Sequence, residues 1–174
     1  MDGKHIGKYM KYKNKYLLTT DEKLRLYGYG EWIEEPDQVF FEYRGMKCKI
    51  LRCEHTGNLC GYICVNGNHP FTHLDLALDI PIDTHGGITY AQNEEDGYWI
   101  GFDCAHCGDF CPGIVKSYEY MNQILRDITP ESNIFDRMMR RFSEDRQYKN
   151  IQFCIDECKR MVDQFLTLES KREN

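Results

Sequence analysis

Three short segments between Val39 and Val65 carry strand-forming residues and are separated by turn signals. They are VFFEY (39–43), KCKILRC (47–53) and LCGYICV (59–65). The central segment alternates polar and apolar residues, which is the period of a half-buried strand. The connections RGM and EHTGN both contain glycine, which favours tight turns. This stretch therefore predicts an antiparallel β-meander.

A second strong periodicity lies near the C-terminus, where apolar residues recur at spacings of three and four, typical of one helix face. They are Ile151, Cys154, Ile155, Cys158, Met161, Val162 and Phe165. Two further helices are predicted before it, over 117–128 with Ser117 as N-cap and over 130–145. Strands followed by helices predict an α+β fold, an antiparallel sheet with C-terminal helices packed on it.

The length of 174 residues suits one domain with a sizeable core. Residues 1–30 begin with a Lys- and Tyr-rich stretch that lacks periodicity, and we expect them to form an N-terminal arm with a short helix near 21–26. Residues 31–174 are then predicted to form a single α+β domain.

A polar hairpin is predicted over 87–103, from GITYA (87–91) and YWIGFD (98–103), with Asp96-Gly97 in its turn. We expect a register that sets Thr89 opposite Gly101 and Gly87 opposite Asp103. Glycine inside a strand often marks the close approach of a ligand or of another backbone. The hairpin is therefore either a ligand site or a tightly packed structural element.

The segments HGGITY (85–90) and GFDCAHCGD (101–109) concentrate ionisable side chains around this hairpin. His85, Asp103, His106 and Asp109 offer nitrogen and oxygen donors that suit a divalent metal or acid–base chemistry. The same four side chains can also hydrogen-bond a polar ligand without chemistry. His69, at the end of the meander, is a further candidate.

Cysteine chemistry gives two alternatives in the same segment. A zinc site would use Cys104, His106, Cys107 and Cys111, but no second Cys-x2-Cys pair completes it. A nucleophilic Cys104 or Cys107 needs an activating histidine, and catalytic Cys and His are usually distant in sequence. Both alternatives are weaker than the oxygen and nitrogen site.

The net charge and the lack of a signal-peptide pattern indicate which partners and which compartment to expect. The formal net charge is −6, from 22 basic and 28 acidic residues, which argues against binding extended nucleic acid. The first 18 residues lack the apolar core of a signal peptide, and no stretch approaches the length of a membrane span. We therefore expect a cytoplasmic protein without membrane contact, whose nine cysteines are reduced.

Four motifs taken together resemble an uncharacterised protein family that is common in bacteriophage and metagenomic sequences. They are GEWIEEPDQVFFEYRGMKCKILR, GNLCGYICVNGNHP, IDTHGGITY and GFDCAHCGD, and with the closing helix they span roughly residues 31–168. The chain departs from the family at Cys107, where the family has alanine, and at Asn66, where it has proline. The first departure counts against the Cys-x2-Cys zinc site. The motif positions carried over are His69, His85, Gly86, Gly87, Thr89, Asp103, Cys104, His106, Gly108 and Asp109.

The resemblance implies a phage-type accessory protein acting in the host cytoplasm, a class that often counters host defence signalling. We expect it to bind a small polar or nucleotide-like ligand in a pocket over the 85–109 hairpin. The ligand-binding residues expected are His69, Gly86, Gly87, Thr89, Asp103 and Cys104. One alternative is a hydrolase whose catalytic residues are His85, Asp103, His106 and Asp109, with or without a divalent metal. The other is a protein–protein interaction module with a purely structural hairpin.

Reduced thiols give a direct prediction. After denaturation without reductant, all nine cysteines should react with a thiol reagent, because a reducing compartment prevents disulfide formation. Absorbance titration of freshly purified protein measures the count. A count below nine would indicate a disulfide and contradict the cytoplasmic assignment.

Overall fold

The computed structural model describes residues 13–65, 69–73, 80–128 and 145–172. These ranges contain one six-stranded sheet and three α-helices, which confirms the α+β class. None of the helices within these ranges combines the length and apolarity needed to cross a membrane. The strands are β1 (Lys13–Lys15), β2 (Gln38–Tyr43), β3 (Met46–Arg52), β4 (Leu59–Val65), β5 (Tyr90–Glu94) and β6 (Gly97–Asp103). The helices are α1 (Thr20–Tyr27), α2 (Pro112–Ile128) and α3 (Ile151–Arg172), and short 3₁₀ turns cover Glu31–Ile33 and Pro70–His73.

The sheet has the strand order β1-β2-β3-β4-β6-β5, and every neighbouring pair is antiparallel. The predicted meander is confirmed as β2, β3 and β4, within one residue of the expected bounds. Its first turn is tight because Arg44 and Gly45 both adopt positive φ, at 50° and 82°.

The core lies between one face of this sheet and α3. The register places Ile50 opposite Gly61 and Ile63 opposite Ile100, so that alternate side chains of four strands point to the same side. The predicted apolar face of α3 covers them, with all but Ile151 fully buried. Gly61 permits the close approach, since a Cβ there would lie 2.9 Å from Cys158 Sγ and 2.6 Å from the Phe102 ring.

On the opposite face of the sheet, a lysine packs among aromatic rings. Lys49 is 7% exposed, and its Nζ lies 4.1 Å from the centroid of Trp99 and 2.6 Å from Glu94 Oε1. The cation–π contact and the ion pair compensate the loss of hydration. Gly101 lies beneath Tyr62 on this face, where a Cβ would come within 2.3 Å of the ring. Gly101 therefore serves packing rather than ligand access.

Part of the expected N-terminal arm is integrated into the fold. β1 pairs with β2, and the predicted helix near 21–26 is present as α1. Thr19 and Glu22 form a capping box at its start, which satisfies two free backbone N–H groups. Lys23 on α1 is 1% exposed and forms an ion pair with Asp37 at 3.1 Å.

The expected bounds and register of the polar hairpin are wrong. β5 begins at Tyr90 instead of Gly87, and Tyr90 rather than Thr89 pairs with Gly101. Gly86 and Gly87 adopt φ of 67° and 90°, which turns the backbone away from the extended conformation before the strand begins. The one-residue shift moves the Tyr90 side chain to the face of Tyr62, where the two rings meet edge-on at 5.1 Å.

The expected start of the second helix is also wrong. α2 begins at Pro112, whose fixed φ and missing N–H suit the first helical turn. Ser117 lies inside the helix and its Oγ donates to Gly113 O at 2.8 Å, so it is not the N-cap. The helix predicted over 130–145 falls almost entirely outside the described residues.

Docking of α3 can be tested at Phe165, which is 6% exposed in the core. Phe165→Ala should lower the free energy of unfolding by about 3–5 kcal/mol, because a buried ring is lost and a cavity remains. Tyr120→Ala is the control, since Tyr120 is 66% exposed and should change stability by no more than about 0.5 kcal/mol. Urea denaturation measures both, and equal losses would contradict the packing.

Candidate functional site

His85 lies on a tight turn that precedes β5. Gly87 N donates to Thr84 O at 3.0 Å, which closes the turn, and the two glycines after His85 supply its positive φ angles. His85 is half-buried, and its ring packs edge-on against Phe153 at 5.3 Å. The turn therefore directs the His85 ring toward the end of β6.

The second half of the site is the loop that follows β6. Asp109 N donates to His106 O at 2.9 Å, so the loop folds back on itself between these two residues. Gln147 binds the loop from outside: Gln147 N donates to Gly108 O at 2.9 Å, and Phe110 N donates to Gln147 O at 3.0 Å. These two bonds bracket Asp109 and fix its backbone.

The two loops bring His85, His106 and Asp109 together. Asp109 is 2% exposed, and its Oδ2 lies 2.8 Å from His85 Nε2 and 2.9 Å from His106 N, which donates to it. One side-chain ligand atom from each of the three residues lies within 4.8 Å of the other two. Two imidazoles and one carboxylate at this separation have the size and donor set of a metal site.

His106 carries an unsatisfied buried nitrogen. Its Nδ1 lies 3.6 Å from Asp109 Oδ2 and 3.9 Å from Asp103 Oδ1, both beyond hydrogen-bonding distance. Among the buried side-chain polar atoms that the structure describes, it is the one without a hydrogen-bond partner. An unsatisfied buried polar atom costs roughly 1–3 kcal/mol, and a bound ion or an ordered water at this position would remove that cost.

Gly86 is required for the approach of the two loops. A Cβ at this position would lie 2.0 Å from Cε1 and 2.1 Å from Nε2 of His106. At Gly87 a Cβ would meet no atom within 4 Å, although φ is also positive there. The first glycine is thus fixed by both conformation and contact, and the second by conformation alone.

Of two further predicted residues, Asp103 borders the cluster and Thr89 lies beside the sheet. Asp103 is half-buried at the end of β6, and its Oδ1 accepts a hydrogen bond from Ala105 N at 3.0 Å. Thr89 is exposed, and its backbone N donates to Gly101 O at 2.9 Å. Asp103 is near enough to act on a molecule held at the cluster.

His69 and Cys104 are placed elsewhere. His69 is buried, and its Nε2 bonds to Glu169 of α3 at 2.8 Å. Glu169 lies 16 residues beyond Phe153, which contacts the His85 ring, or about 24 Å along a helix with a rise of 1.5 Å. Cys104 is 2% exposed and points into the core, where its Sγ lies 3.8 Å from Cys154 Sγ. Cys107 is exposed and Cys111 is buried against Cys104 O, so the cysteines do not join the His/Asp cluster.

The sequence did not reveal Glu157 as part of the site. Its Oε1 accepts hydrogen bonds from His85 N at 2.5 Å and from Thr84 Oγ1 at 3.2 Å. Burial raises the pKa of Glu157, but hydrogen bonds from Arg160 and His85 N outweigh it, so the pKa lies below its usual range. One feature of the sequence could have indicated Glu157. The spacing of Glu157, Arg160 and Gln164 puts three polar side chains on one side of α3, beside its apolar face.

Three cavities of about 620, 400 and 410 Å3 are lined by other parts of the chain. The largest lies along α3 beside Pro81, the second on the Lys49 face of the sheet, and the third between α1 and α2. None of these three includes His85, His106 or Asp109. The cluster is thus distinct from these cavities, with two half-buried histidines over a buried carboxylate.

Comparison of the sequence with protein-family models, with curated proteins and with solved structures found no match in any of the three. The resemblance to a phage-borne family therefore stays a prediction. The chemistry of the site must be argued from its own geometry.

The two glycines give a matched test of the loop contact. Gly87→Ala should lose about 1–2 kcal/mol of stability, because it places an L-residue at positive φ. Gly86→Ala should lose more and should also shift the imidazole NMR signals of His106, since its methyl group displaces that ring. Equal destabilisation with an unmoved His106 would contradict the contact.

Proposed function

We propose that this chain binds a divalent transition metal through His85, His106 and Asp109, and that the metal holds a small polar ligand. The observation that carries the proposal is the buried His106 Nδ1, which has no hydrogen-bond partner and faces Asp109. Coordination would satisfy this nitrogen, whereas the protein's own polar groups are too distant to do so.

The donor set supports a particular class of metal. Imidazole nitrogen and carboxylate oxygen suit Zn²⁺ or Fe²⁺ better than the all-oxygen sites of Ca²⁺ and Mg²⁺. Three protein ligands leave at least one coordination position for water or a ligand, as in catalytic rather than structural zinc sites. Phosphate or carboxylate oxygens could occupy this open position. A nucleotide-like ligand is therefore compatible with the proposed metal site.

The hydrogen bonds that hold the two ligand-bearing loops also suit a metal centre. The backbone of each metal-ligand loop is anchored by a different segment, His85 by Glu157 and Asp109 by Gln147. Such contacts hold ligands in place before the metal arrives and thereby reduce the ordering that binding requires. At Gly87 and Gly108 a Cβ would meet no atom within 4 Å, which leaves space beside the cluster.

A hydrolase is the second candidate, and the 2.8 Å contact between His85 Nε2 and Asp109 Oδ2 favours it. A buried carboxylate that accepts from one imidazole nitrogen orients the ring, so that the other nitrogen accepts a proton from water. Asp103, half-buried beside His106, would bind or protonate the leaving group. A bound metal would add polarisation of the substrate oxygen.

An interaction module is the remaining alternative. Four large hydrophobic residues of α2 are exposed, namely Tyr118, Tyr120, Met121 and Ile124. They favour a protein partner, but that role makes no use of the unsatisfied His106 nitrogen. Loss of function in variants of the His/Asp cluster would separate the two explanations.

Metal binding gives the decisive experiment. The purified protein, stripped with chelator and titrated with Zn²⁺ alone, should bind one ion per chain by elemental analysis and competition with a chromophoric chelator. His106→Ala should weaken affinity by more than the roughly 10- to 100-fold typical of an outer-shell change, because a direct ligand is removed.

Cys107→Ala is the matched control, because Cys107 is exposed in the same loop as His106 and belongs only to the cysteine-based zinc site. It should bind Zn²⁺ as the wild type does. Loss of binding in Cys107→Ala would support the cysteine site instead. A wild-type protein that binds no Zn²⁺ would overturn the proposal and favour the metal-free hydrolase.

A further inference from the structure

One side of α3 holds the turn that carries His85. Glu157, Arg160 and Gln164 occupy positions i, i+3 and i+7, which lie on the same side of a helix. Each of these three side chains forms a hydrogen bond with a residue of the segment 83–85. The segment has no regular secondary structure of its own, so these bonds fix where it lies on α3.

The outer part of this contact attaches Asp83. Asp83 N donates to Gln164 Oε1 at 2.9 Å, and Gln164 Nε2 donates back to Asp83 O at 2.8 Å. Arg160 NH1 forms an ion pair with Asp83 Oδ2 at 2.7 Å. Arg160 and Asp83 are exposed, so the pair contributes little by itself and serves mainly to align the segment.

The inner part of the contact is Glu157, which is far less exposed. Its Oε1 accepts from His85 N at 2.5 Å and from Arg160 NH2 at 2.6 Å, while its Oε2 accepts from Arg160 Nε at 3.0 Å. The side chain is 12% exposed. Hydrogen bonds to an ionised and partly buried acceptor are about twice as strong as neutral ones.

The bonded atom is the reason why this contact matters for the cluster. Glu157 binds the backbone N–H of His85 itself, and the ring of that same residue reaches Asp109 Oδ2 at 2.8 Å. With the backbone fixed on α3 and the next residue confined to positive φ, the ring has little freedom except rotation of its own side chain. The distance between His85 and the other two ligands is therefore set from α3.

We propose that Glu157 is a positioning residue for the metal site, which it serves by holding the backbone of His85 against α3. The inference rests on the proposed metal function, but it also makes a claim about His85 that holds without metal. Glu157 contacts no metal ligand atom directly and acts only through His85.

Four proteins test the proposal with Zn²⁺ alone as the probe: the wild type, Glu157→Ala, Glu157→Gln and Asp156→Ala. Glu157→Ala should weaken Zn²⁺ binding by about 10- to 100-fold, the usual effect of losing an outer-shell contact. Glu157→Gln should retain most of the affinity, because its carbonyl oxygen can still accept from His85 N. Asp156→Ala removes the neighbouring exposed acid and should leave the affinity unchanged.

A readout without metal separates this inference from the metal proposal. In metal-free protein, hydrogen exchange at the His85 amide should become faster in Glu157→Ala and stay slow in Glu157→Gln and Asp156→Ala. If Glu157→Ala does not fold, Glu157→Asp takes its place, since the shorter side chain withdraws the same carboxylate from the amide.

The outcomes are distinct. Wild-type protein that binds no Zn²⁺ overturns the metal site and, with it, the role of Glu157 there. Wild-type binding with an unchanged affinity in Glu157→Ala overturns only the positioning role. An exchange rate at His85 that does not respond to Glu157→Ala also overturns that role. Weakened binding and faster exchange in Glu157→Ala, both restored in Glu157→Gln, support it.

Discussion

The buried guanidinium of Arg52 is the constraint on which the rest of the architecture depends. Its side chain is 1% exposed at the end of β3, where an unpaired charge would be very costly. Asp37 Oδ1, Glu35 Oε2 and Tyr148 OH accept from it at 3.1, 3.0 and 2.8 Å, and Gly57 O accepts at 2.9 Å. Removing one partner of such a set typically costs about 3–5 kcal/mol, so these distant segments must meet at one point.

The groups that surround Arg52 also determine where the His/Asp cluster forms. Glu35 also accepts from Ile151 N at 2.8 Å, which fixes the start of α3, and Tyr148 lies one residue from Gln147, which brackets Asp109. Six residues into α3, Glu157 then reaches His85. Both halves of the His/Asp cluster are therefore positioned by one continuous segment, 147–157, whose location follows from the pairing of Arg52.

Local pattern made the meander and α3 predictable, because each is defined by turn residues or periodicity within its own segment. The register around Gly87 was not, because nothing in the sequence shows that two glycines adopt positive φ. His85, His106 and Asp109 could be found from spacing. The contact of Glu157 with His85 and that of Arg52 with Tyr148 could not, since these pairs are 72 and 96 residues apart. The error at Thr89 and the placement of His69 have the same origin, in contacts that only the folded chain defines.

Metal binding and acid–base hydrolysis would both use the same atom, Asp109 Oδ2. In the acid–base arrangement it accepts from His85, a charge-assisted bond worth roughly 1.5–3 kcal/mol. A metal that binds Asp109 Oδ2 and the His85 imidazole would take the place of that bond. The unsatisfied His106 Nδ1 favours the metal proposal, since a bound metal would satisfy it and the His85–Asp109 pair does not.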